Sequence, residues 1–75
     1  MVEGVVSFRN RMPRRVFMTV GDHLVLFRAD RFSVADFERI RLAVLGDRLR
    51  IEADELATQG PVGAHLVARS VEFLR

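Results

Sequence analysis

ERIRLAVLGDRLRIEADEL, residues 38–56, decides the fold, because apolar and polar residues alternate on both sides of its Gly46-Asp47 pair. Alternation with a period of two marks a half-buried strand. A two-residue loop with Gly first marks a type II′ hairpin turn, since Gly takes the positive φ of that corner without strain. Folding the chain about Gly46 and Asp47 gathers Ile40, Leu42, Val44, Leu49, Ile51 and Ala53 on one face. The other face carries Arg39, Arg41, Arg48, Arg50 and Glu52, with Arg41 opposite Glu52 as a cross-strand ion pair. The same residues also allow a helix. Ser33 would cap it, Asp36 would stand third, and Phe37, Ile40 and Val44 would line one side. Because the alternation resumes in phase after the turn, the strand is the expectation.

Toward the N-terminus, VGDHL at residues 20–24 repeats the turn word with Gly21 and Asp22. Pairing about it places Val16, Met18, Val20, Val25 and Phe27 on one face, and Phe17, Leu24 and Leu26 with Thr19 on the other. Both faces are largely apolar, so this hairpin needs cover on two sides, from a second layer or from another subunit. Phe17, Leu24 and Leu26 are therefore the expected interface stripe. Toward the C-terminus, TQGPVGA at residues 58–64 breaks the chain at Gly60, Pro61 and Gly63, and HLVARSVEFLR reads as a closing strand.

A chain of 75 residues supports one hydrophobic core. Its 49% apolar content suffices for that core and excludes a disordered chain. The expected class is all-β: a small, mainly antiparallel, hairpin-built sheet forming a sandwich or partial barrel, with self-association available to complete it. Residues 1–15 read as a short basic arm and 16–75 as the single domain. All 12 basic residues are Arg, yet ten carboxylates reduce the net charge to +2, a weak signal for a nucleic-acid partner. No apolar run reaches the ~20 residues needed to cross a bilayer, and the start lacks signal-peptide order, so a cytoplasmic protein without membrane insertion is expected.

Little in the sequence can do chemistry. Cys is absent, and His23 and His65 fit neither a metal spacing nor a nucleophile motif. Asp54 and Glu55 read as a solvated turn, since neighbours on a strand point to opposite faces. No enzyme and no cofactor are expected. The one suggestive charged stretch is RNRMPRR, residues 9–15, in which Arg9, Arg11, Arg14 and Arg15 could hold an anion. The Arg39, Arg41, Arg48 and Arg50 face would extend that patch, but the expected reading is the plainer one, a solvated terminus at residues 9–15 and the wet side of the sheet at the other four, so a nucleic-acid partner is not expected.

The order of these pieces resembles the YqfC/YabP family of small endospore-formation proteins. The resemblance rests on Met12-Pro13-Arg14, Val16 to Val20, Gly21-Asp22, Leu24 to Phe27, Glu38 to Leu42, Leu45-Gly46, Leu49-Arg50-Ile51 and Asp54-Glu55-Leu56. It implies a non-enzymatic scaffold for spore-envelope assembly, placed in the mother-cell compartment. Such a protein would self-associate through its sheet edges and act with a sporulation membrane protein. A small Arg-rich barrel that binds nucleic acid is the alternative.

Overall fold

The computed structural model describes residues 1–58 and 63–74. The break expected at Gly60 and Pro61 lies outside them. Strand β2 (Arg15–Val20) and strand β3 (His23–Arg28) form the expected hairpin, in which Val20 pairs with His23 and leaves Gly21 and Asp22 as the loop. Gly21 has φ +60° while Asp22 stays at negative φ, as a type II′ corner requires. Val16, Met18, Val20, Val25 and Phe27 are all at most 1% exposed and build one wall of the core.

Residues 2–12 are not an arm. They form strand β1 (Val2–Met12), which pairs antiparallel with β2 and, through Val2 to Val5, with strand β4 (Arg48–Ala57). Val2 and Val6 supply its apolar side, and Gly4 stands between them because the Gly21 corner closes over it. A Cβ at Gly4 would lie 2.7 Å from the Gly21 nitrogen. Between Val6 and Phe8 the pairing slips by one residue, so Ser7 is the extra residue of a β-bulge. The slip changes which residues face inward. Beyond it, Phe8, Asn10 and Met12 lie on the outer face, while Arg9 and Arg11 stand opposite the inward-facing Met18 and Val16.

The strand expected over residues 40–45 is instead helix α1 (Val34–Arg41). Two causes outweigh the alternation. Ser33 Oγ accepts a hydrogen bond from the Asp36 amide at 3.1 Å, completing an N-cap, and Phe37, Ile40 and Ala43 all turn into the core. Leu42 and Val44, which the strand would have buried, are 64% and 50% exposed. Gly46-Asp47 is accordingly no hairpin tip but the entry to β4. Gly46 takes φ +97°, its amide donates to the Val6 carbonyl, and the Val6 amide donates back to the Asp47 carbonyl. Arg41 and Glu52 do not meet, and Glu52 pairs with Arg69.

Strand β5 (His65–Leu74) runs antiparallel to β4 and parallel to β3, through Val25 beside Leu66 and Leu26 beside Val67. The sheet thereby closes as β1-β2-β3-β5-β4 and back to β1. The fold is all-β as expected and a closed barrel. Its three-stranded meander, helix before β4, and β5 returning beside β3 are the connectivity of the OB-fold. Among the described residues, no helix is long and apolar enough to cross a membrane.

Candidate anion-binding site

Arg14 sits in the turn between β1 and β2, Arg15 opens β2 and Arg28 closes β3. The hairpin register puts Arg15 directly opposite Arg28. Like charges in that relation repel, and the fold tolerates them here with a single carboxylate for relief: Asp30 accepts from Arg28 at 2.8 Å. The three guanidinium groups, Leu26 and Asp30 line an open hollow of about 360 Å³. Two positive charges remain unbalanced there, as many as the whole chain carries at neutral pH. Among the described residues, the Arg14 and Arg15 side chains make no hydrogen bond or ion pair.

The backbone under these arginines is held from two sides. The Ala29 amide donates to the Arg14 carbonyl at 2.9 Å, joining the ends of β3 and the β1–β2 turn. From the helix, Arg41 Nη1 donates to the carbonyls of Met12 at 3.1 Å and Pro13 at 3.3 Å. The turn that carries Arg14 is thus fixed before any ligand arrives, which lowers the ordering cost of binding.

Arg9 and Arg11 do not belong to this site. The bulge at Ser7 aims them at the C-terminal end of α1, where Arg9 Nη1 donates to the Ala43 carbonyl at 2.6 Å and Arg11 Nη1 to the Arg41 carbonyl at 3.0 Å. Arg11 satisfies a carbonyl that the helix end leaves without a partner and Arg9 one just beyond the Leu42 cap, and their charge suits the negative end of the helix dipole. The supposed Arg39, Arg41, Arg48 and Arg50 face is likewise dispersed. Arg39 lies over the Phe73 ring at 4.5 Å, Arg41 serves the turn, and Arg50 bridges Glu3 and Glu72. Arg50 is held above the ordinary arginine range by its hydrogen bond to Glu3, and Arg31 similarly by Asp54. Asp54 and Glu55 both reach Arg31, because a register slip near Ala53 breaks the simple alternation.

Of the expected interface stripe, Phe17 and Leu26 are covered by their own chain. They pack with Val67 in a second small cluster flanked by Met12, Leu24 and Ala57, and Phe17 meets the His65 ring edge-on at 5.4 Å. His65 is itself buried, its Nδ1 donating to the Gly63 carbonyl at 2.9 Å, while His23 is exposed at the hairpin tip. Only Leu24 of the stripe stays half-exposed. One aromatic does stand free on the outer face. Phe8, opposite Thr19, is 48% exposed and on the same side of the sheet as Arg15. Reading residues 1–15 as an arm hid both Phe8 and the partnership of Arg15 with Arg28. No family model, curated protein or solved structure matches this chain.

Proposed function

We propose that this barrel binds single-stranded nucleic acid, with phosphates at Arg14, Arg15 and Arg28 and a base against Phe8. The observation that carries the reading is the Arg15–Arg28 pair, two like charges set opposite one another beside a third at the mouth of an open hollow. A phosphate there would relieve a repulsion that the fold alone leaves in place. OB-folds present their β2–β3 face and the flanking loops to oligonucleotides and oligosaccharides, a fold-level analogy that agrees with the location. Thr19, the partner of Phe8, is four residues from Arg15 along β2, so the ring and the cations lie about 13 Å apart on one face.

Three phosphate contacts on a single strand predict that log K falls with log salt at a slope of about −2. Fluorescence anisotropy of a labelled thymidine oligonucleotide over a salt series reads that slope. Replacing both Arg14 and Arg15 by Gln should flatten it to about −0.7. A salt-independent signal, or a double variant that binds like the parent, would end this reading.

A second reading, the self-associating scaffold of endospore formation, is favoured by a different observation. Leu42, Val44 and Leu45 are exposed in one short run after α1, at 64%, 50% and 59%. Association would then proceed through this run, since closure of the ring uses the sheet edges. Light scattering over a concentration range tests it: a mass above the monomer that Leu45→Arg reduces would support it.

A further inference from the structure

We propose that Asp30 is a built-in competitor of the ligand, an internal anion that occupies Arg28 until a phosphate displaces it; this rests on the nucleic-acid reading above. Asp30 Oδ2 stands 2.8 Å from Arg28 Nη2, and both side chains line the hollow that Arg14 and Arg15 share. Asp30 and Arg28 are separated by one residue, at the junction of β3 with the short 3₁₀ turn Ala29–Arg31, so the carboxylate is always within reach. The pair is about half exposed on each side, at 46% and 54%, and an ion pair in such a setting is weak. It can therefore be exchanged for an incoming anion at little cost.

The other acidic side chains near the turn are already committed elsewhere. Asp54 and Glu55 both hold Arg31, which leaves Asp30 as the one carboxylate among the described residues that lines this hollow. Its effect on specificity follows from its charge. A ligand with one charged group must compete with Asp30 for Arg28. A strand with successive phosphates first engages Arg14 and Arg15, which Asp30 does not touch, and then evicts the carboxylate intramolecularly. Asp30 thereby discriminates in favour of polyanions and against isolated anions such as inorganic phosphate.

The sign of the effect distinguishes competition from support. If Asp30 merely positioned Arg28, removing its charge would weaken binding. As a competitor, its removal strengthens binding. Asp30→Asn and Asp30→Ala should each bind the thymidine oligonucleotide about two- to fivefold more tightly than the parent. Asp30→Glu should bind like the parent, and circular dichroism confirms that all three are folded. Affinity that falls or stays level in both neutral variants, with the parent still binding in a salt-dependent way, overturns the competitor role and leaves the nucleic-acid reading in place. Absence of binding by the parent overturns both.

Discussion

Glycine at position 4 is a steric requirement of the barrel, because the Gly21 corner passes within van der Waals reach of its Cα. Two glycines far apart in sequence are thus one packing unit. Gly4→Ala forces the β2–β3 corner outward and should destabilise the fold by about 1–3 kcal/mol, read as a lower midpoint in urea unfolding. Gly21→Ala costs about 1–2 kcal/mol through its left-handed φ, and its added methyl meets the Glu3 carbonyl at an ordinary 3.6 Å. The requirement at Gly21 was legible, since Gly-Asp between apolar runs announces a tight turn. That at Gly4 was not, because only the fold brings residue 21 over residue 4. The arginines divide the same way. Arg14 and Arg15 are neighbours in the chain and visible as a cluster, whereas Arg28 joins them only through strand register.

Helix α1 shows how one element can satisfy two patterns at once. Phe37 and Ile40 fit the inward side of a helix, while Ile40, Leu42 and Val44 fit one side of a strand, and the sequence between residues 37 and 44 carries both. What decides is outside the alternation: the Ser33 cap at one end and Arg9 and Arg11 on the carbonyls at the other. Ser33→Ala should cost about 1 kcal/mol in chemical unfolding. Arg9→Met, which keeps the length and removes the donors, should cost about 1–3 kcal/mol by leaving the part-buried Ala43 carbonyl without its partner. These capping arginines were unreadable in advance because a single bulged residue, Ser7, sets the direction in which they point. A strict alternation from Val2 onward would have sent them to the opposite side.

For the whole molecule, closure answers the problem of a hairpin with two apolar faces. The inner face packs on β1, β4, β5 and α1, and the outer face is covered around Phe17 and Leu26 by Val67 and its neighbours. No second copy is needed for that cover, so the nucleic-acid reading predicts a monomer whose mass does not rise with concentration. Phe8→Ala belongs to this scale too, since the ring does nothing for the core. It should leave the unfolding midpoint within about 0.5 kcal/mol of the parent and weaken oligonucleotide binding by about 1 kcal/mol.

The seams of the ring are unequal. β4 and β5 share nine paired positions, whereas the parallel ladder between β3 and β5 has two, Val25 with Leu66 and Leu26 with Val67. Leu26 also lines the hollow beside Arg28. The barrel is therefore a strap fastened by a short clasp, and the clasp lies beside the three arginines. The amide of Leu26, on the β3 side of the clasp, should exchange with solvent sooner than those of the β4–β5 ladder. A strand laid across the hollow would hold the clasp shut, so occupancy of the mouth would be felt as slower exchange on the neighbouring wall.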